Sequence, residues 1–113
     1  MENVKLTLAT LISCFTLVSA GTSFALSPQA YHDLQALAQE KGCFACHAIN
    51  HKVVGPAWKD VAAKYHHDLK YVPYLAKMIK NGNVGIWGSV PMPPQNVTKA
   101  QAEMLARFIL SLH

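Results

Sequence analysis

Residues 41–47 read Lys41-Gly42-Cys43-Phe44-Ala45-Cys46-His47, and this stretch decides what the rest of the chain must build around. Two thiols three positions apart, followed at once by an imidazole, form the pattern by which a c-type haem is fixed to a polypeptide. The spacing has a physical reason. Cys43 and Cys46 can reach the two vinyl groups on adjacent edges of one porphyrin. His47, one helical turn from Cys43, can then set a ring nitrogen on the iron. The thioether bonds make one haem c a permanent part of the protein. Other chemistries fit the stretch less well. A zinc site needs four ligands, and the adjacent His66 and His67 send their side chains apart. A thioredoxin-like redox pair belongs in a βαβ setting, for which the sequence gives no sign. A Cys43–Cys46 disulfide stays open in an oxidising compartment, but it closes too small a loop to brace a fold.

A brace is what a chain of this size needs. The protein has 113 residues, 51% of them hydrophobic and 14% charged, with a net charge of +4. This is room for one domain, too apolar for a disordered segment and too short for a repeat array or a large-pocket enzyme. The first 25 residues, MENVKLTLATLISCFTLVSAGTSFA, have Lys5 near the start, an apolar run from Leu6 to Val18, and small residues at Ser23 and Ala25. They read as a secretory signal peptide cleaved after Ala25. Their apolar run, broken by threonines and a serine, is short for a membrane span. The segment Leu11-Ile12-Ser13-Cys14 allows lipid anchoring at Cys14 as a lesser alternative. Residues 26–113 then form a single exported domain, in keeping with covalent haem attachment outside the bacterial cytoplasm. A flat apolar macrocycle gives so short a domain something to pack around.

Outside the cysteine stretch, the patterning is helical. Ser27-Pro28 is a helix start, and Tyr31, Leu34, Leu37 and Ala38 continue it as an apolar stripe that Gly42 ends. Ala57–Tyr65 predicts a short helix, and His66-His67-Asp68 a break. Leu69–Lys80 predicts another helix, with Pro73 in its first turn and Asn81-Gly82 as its stop. Thr98 caps the last helix, with Gln101 in reciprocal position, and Ala102, Leu105, Ala106, Ile109 and Leu112 form its buried face. No stretch alternates as a strand does. The expected fold class is all-α, with about four helices. Leu34, Leu37, Phe44, Val53, Val54, Trp58, Leu75, Ile79, Leu105 and Ile109 are the expected apolar lining of the haem.

Between the last two helices, Asn83–Val97 holds three prolines and two glycines without periodicity. Long loops of this kind are usually functional. Within it stands Val90-Pro91-Met92-Pro93-Pro94. Flanking prolines fix the backbone, so Met92 is the preferred second axial ligand, and its thioether favours ferrous iron. Met78 and Met104 fall inside helical patterns and read as ordinary core. His51, His66, His67 and His113 read as solvated surface residues.

With these residues in view, the chain resembles the small bacterial class I cytochromes c of the c-551/c-552 group. The resemblance spans residues 27–112 and rests on the haem stretch, Val54-Gly55-Pro56-Ala57-Trp58-Lys59-Asp60-Val61-Ala62-Ala63-Lys64, Ile79-Lys80-Asn81-Gly82, Gly85-Ile86-Trp87-Gly88 and Pro91-Met92-Pro93-Pro94. It implies a small cytochrome c fold of about four helices around one haem. It also implies that the Pro56 carbonyl orients His47 and that Trp87 donates to a haem propionate. Relatives commonly carry Asn directly after the Pro-Met-Pro-Pro run. Here Gln95 comes first and Asn96 second, which leaves open whether either one contacts Met92. Met78 occupies a position where some relatives place Arg or His toward a propionate, which implies an altered propionate pKa.

With both axial positions filled, the implied function is one-electron transport rather than catalysis. The implied setting is the periplasm, between respiratory redox partners. A quinol-oxidising complex would be the donor, and a terminal oxidase, nitrite reductase or peroxidase the acceptor, with the carrier a monomer. The alternative is a haem-based sensor in which a small ligand displaces the methionine. The lysines are spread along the chain without a dense basic run, which argues against nucleic acid as a partner.

Overall fold

The computed structural model describes residues 13–17 and 25–113. The leader expected over residues 1–25 falls largely outside them. Cys14 is described and exposed. No helix among the described residues is long and apolar enough to cross a membrane.

Helix α1 runs Pro28–Glu40, and the Ser27 hydroxyl accepts from the Ala30 amide at 3.1 Å as its cap. Gly42 takes a left-handed φ of 74° and turns the chain into a single 3-10 turn, Cys43–Ala45. Helix α2 is Trp58–Lys64. It ends where His66 and His67 both adopt left-handed backbone, φ 55° and 54°, a conformation costly for residues with a Cβ. The break is held from outside. The Nδ1–H of His67 donates to the Leu110 carbonyl at 3.2 Å, and its ring stacks on His113 with centroids 4.2 Å apart. His67 is therefore half-buried and engaged rather than a free surface histidine, whereas His51 and His66 are exposed as expected.

A 3-10 turn, Leu69–Tyr71, leads into helix α3, Val72–Asn81, which has Pro73 in its first turn. The Asp68 carboxylate accepts from the Lys70 amide at 2.9 Å, and this bond holds its pKa below the ordinary value. Helix α4, Lys99–Leu110, opens with the expected reciprocal cap. The Gln101 amide donates to Thr98 Oγ1 at 3.1 Å, and the Thr98 amide donates to Gln101 Oε1 at 3.0 Å.

Helix α4 is the spine against which α1, α2 and α3 all pack. It supplies the three largest fully buried side chains among the described residues, Phe108, Leu105 and Leu110, of which only Leu105 belongs to the stripe expected from the sequence. Phe108 meets Tyr31 of α1 edge-on at 5.1 Å and Trp58 of α2 edge-on at 5.8 Å, so one ring joins three helices. Leu34 and Leu37 pack against this core from α1. Met104 corrects an expectation: it lies off the stripe and is 42% exposed. Among the described residues, β pairing is confined to two single antiparallel bridges, His47 with Lys52 and Asn83 with Met92.

Candidate haem site

A cavity of about 360 Å³ opens between the cysteine stretch, α3, α4 and the loop after α3. Cys43, Cys46 and His47 reach it from one segment, and Met92 reaches it from the other loop. Local geometry explains how the first three are held. The 3-10 turn, with Cys46 N donating to the Cys43 carbonyl at 3.2 Å and His47 N donating to the same carbonyl at 3.0 Å, winds the thiols and the imidazole onto one short arc. Both thiols are free. Burial raises the pKa of the half-buried Cys43 thiol.

His47 is oriented by two contacts. Its Nδ1–H donates to the Pro56 carbonyl at 2.8 Å. A carbonyl only accepts, so the proton sits on Nδ1 and leaves the Nε2 lone pair free. The other contact is Gly55. A Cβ built there would lie against the imidazole, 2.8 Å from Nδ1 and 3.0 Å from Nε2. Glycine at position 55 is what lets the backbone approach the ring so closely.

The second loop is held against the end of α3 through its Met92–Val97 part. Gly82, at φ 76°, ends the helix, and a Cβ on it would sit 2.9 Å from the Pro94 nitrogen. The Asn83 amide donates to the Met92 carbonyl at 3.0 Å, and the Met92 amide donates back to the Asn83 carbonyl at 2.8 Å. Further on, the Gln95 amide donates to the Ile79 carbonyl at 3.2 Å, and Lys80 Nζ donates to the Val97 carbonyl at 2.8 Å. The three prolines thus fix the loop locally, and α3 fixes it globally.

The family model for cytochrome c matches residues 33–113. The chain belongs to the cytochrome c family. This cytochrome c is 58% identical over 78 residues to cytochrome c-552 of Hydrogenobacter thermophilus, covering 69% of this chain and 80% of that protein. It is 47% identical over 96 residues to cytochrome c-551 of Pseudomonas aeruginosa, covering 85% and 91% respectively. The crystal structure of wild-type Nitrosomonas europaea cytochrome c552 aligns with a TM-score of 0.67 and 50% identity, covering 70% of this chain and 99% of that one. The fold is accordingly the small all-α cytochrome c fold, and this cytochrome c carries one covalently attached c-type haem.

The residues present fit that group. Two free thiols, an imidazole with an available lone pair and a thioether converge on one cavity whose walls are mostly apolar. Of the expected lining, Val54, Trp58, Leu75, Ile79, Leu105 and Ile109 do line it, and Met78 joins them. Leu34, Leu37, Phe44 and Val53 do not. Phe44 packs against Trp58 at 5.0 Å and lines a shallower outer groove with Val53, while Leu34 and Leu37 serve the helix core. Trp87 stands at the cavity, 38% exposed, with Lys64 Nζ 5.4 Å from its ring centroid. Gln95 turns its amide to the Pro93 carbonyl at 2.7 Å, and Asn96 is exposed. The amide that meets Met92 belongs to Asn83, whose Nδ2 lies 3.7 Å from Sδ.

Tyr65, also at the cavity wall, is 9% exposed and packs against Tyr71 and Tyr74 at 5.0 and 5.7 Å. Burial first, then the Tyr74 hydroxyl and the charges on Tyr74 and Tyr71, pushes its pKa from 10.0 up to about 12. The folded state therefore keeps the proton longer than the unfolded chain does. The resulting stability is fully present below pH 10 and drains away as pH climbs toward about 12. Urea unfolding midpoints should fall across that window, and Tyr65→Phe should flatten the fall. Equal pH slopes for the two proteins would assign the loss to other groups.

Proposed function

We propose that the chain is a one-electron carrier of the periplasm. In this reading Cys43 and Cys46 hold the haem through thioethers, and His47 and Met92 are the axial ligands of its iron. Bound there, the haem supplies reversible exchange between ferric and ferrous iron. The chain's part is to hold both ligands still and keep water out. Pro56 and Gly55 fix the ring of His47. The bridge between Asn83 and Met92 fixes the loop that presents the thioether. Trp58, Leu75, Ile79, Leu105 and Ile109 supply the apolar wall, and Trp87, which also lines the cavity, serves in this reading as the indole N–H donor to a propionate.

The observation that carries this reading is the convergence of Cys43, Cys46, His47 and Met92 on one cavity. Residues 1–25 act as a cleaved leader, with lipid anchoring at Cys14 as the alternative processing. Residues 26–113 are the working domain. Its partners are other redox proteins, with a quinol-oxidising complex as donor and a terminal oxidase, nitrite reductase or peroxidase as acceptor.

Intact mass spectrometry of the exported protein should show residues 26–113 plus one haem. The oxidised protein should display the weak red sulfur-to-iron charge-transfer band, and Met92→Ala should abolish it and let the reduced protein bind carbon monoxide. A bare polypeptide mass would overturn the carrier reading. A wild-type protein that lacks the band and binds carbon monoxide rapidly would make the chain a ligand sensor instead.

A further inference from the structure

We propose that Asn83 is the positioning residue for the Met92 sulfur, holding the thioether on the iron and resisting its displacement; this rests on Met92 being an axial ligand. Methionine is unbranched and has three rotatable side-chain bonds. Pro91, Pro93 and Pro94 fix the backbone on either side of Met92, but they leave its side chain free to turn. Something else must hold the sulfur.

Asn83 is built for that. Its backbone is locked opposite Met92 by two hydrogen bonds, 3.0 and 2.8 Å, which set the register of the two residues. Its own position is fixed one step earlier, where Gly82 turns out of α3 with its α-carbon against the Met92–Pro94 backbone. From that fixed base the Asn83 side-chain amide donates to Met92 Sδ at 3.7 Å. Both residues are half-buried and line the cavity, so water competes poorly for the amide. A thioether sulfur has two lone pairs. One suits the metal, and the other can accept from the amide. The other nearby amide side chains do not reach Met92: Gln95 is occupied by the Pro93 carbonyl, and Asn96 is exposed.

Two consequences follow. Without the donor the sulfur is less tethered, and the lost positioning lets an outside ligand displace it more easily from ferric iron. The sulfur lone pairs are also no longer drawn toward an N–H donor, which favours the ferric state and lowers the midpoint potential. Sulfur is a weak acceptor, so the change belongs at the low end of a hydrogen bond's net value, about threefold in a competing equilibrium.

The test is an imidazole titration of the oxidised holoprotein, followed at the sulfur-to-iron band, together with a measured midpoint potential. Asn83→Leu removes the donor at similar size, and Asn83→Asp keeps the shape but replaces the amide with a carboxylate. Both leave the backbone bridge in place. Each should raise imidazole affinity by about threefold or more and move the potential negative, while Gln95→Leu changes neither. Wild-type affinity and potential in both Asn83 variants would overturn the proposal, as would an equal shift in Gln95→Leu. A wild-type protein with no sulfur-to-iron band would instead remove Met92 as a ligand, and this role of Asn83 with it.

Discussion

Gly55→Ala is expected to cost the protein about 2–4 kcal/mol and most of its properly ligated form. The added methyl would lie against the His47 ring at distances real side chains do not tolerate, 2.8 Å from Nδ1 among them. Two escapes exist, and each breaks something. The ring can swing away, which gives up the 2.8 Å bond to the Pro56 carbonyl, about 1 kcal/mol, and turns Nε2 from its line. Alternatively the backbone at position 55 can retreat, which breaks the 2.7 Å bond from its amide to the Cys46 carbonyl and pulls on the attachment segment itself. Overpacking of this kind adds about 1–3 kcal/mol. Position 55 is not in the left-handed region, so the requirement for glycine here comes from close approach alone. Denaturant midpoints, and the ratio of haem absorbance to protein, should both drop. An unchanged ratio and midpoint would mean that the ring has room to spare.

Phe108→Ala should be at least as damaging although it lies in the helix core. Phe108 is 0% exposed and touches both Tyr31 and Trp58. Truncating a fully buried Phe costs about 3–5 kcal/mol. Domains of this kind have only about 5–15 kcal/mol in total, so the melting temperature should fall by roughly 15 °C or more. The damage should also reach the haem site. Trp58 touches both Phe108 and His47, with ring centroids 5.8 Å apart in each pair. A cavity behind Trp58 loosens the wall on which the imidazole rests. Phe108→Leu, which refills most of the space, should recover more than half of the loss. A Phe108→Ala protein that melts within a few degrees of wild type would show that α1 and α2 close over the gap.

The contrast between these residues explains what could be read in advance. Cys43, Cys46 and His47, which the fold brings to one cavity, could be picked out together because the chemistry they suit demands closeness in the chain as well as in space. The ends of α1, α3 and α4 were legible for a similar reason: Ser27, Gly82 and the pair Thr98 and Gln101 act on neighbours within a turn. Met92 stood out through its prolines. Asn83 gave no local signal, because its partner lies nine positions away and is brought to it by a bridge that exists only once α3 has ended. His67 was missed similarly. Its partners, Leu110 and His113, come from the far end of the chain. Leu34, Leu37 and Phe44 were assigned to the cofactor because they are apolar and close to the motif. In the fold that neighbourhood has two sides, and these three serve the side facing the helices.

The segment that carries Met92 is fastened at three points: by the paired backbone bonds to Asn83, two residues past the end of α3, and to α3 itself by the amide of Gln95 on Ile79 and by Lys80 on Val97. A flap pinned at a single edge can swing. One pinned at Met92, Gln95 and Val97 against the end of a helix leaves only when those bonds break together. Opening the wall over the prosthetic group is thus a small unfolding event rather than a hinge motion, so its frequency is set by the strength of a helix end rather than by the suppleness of a loop.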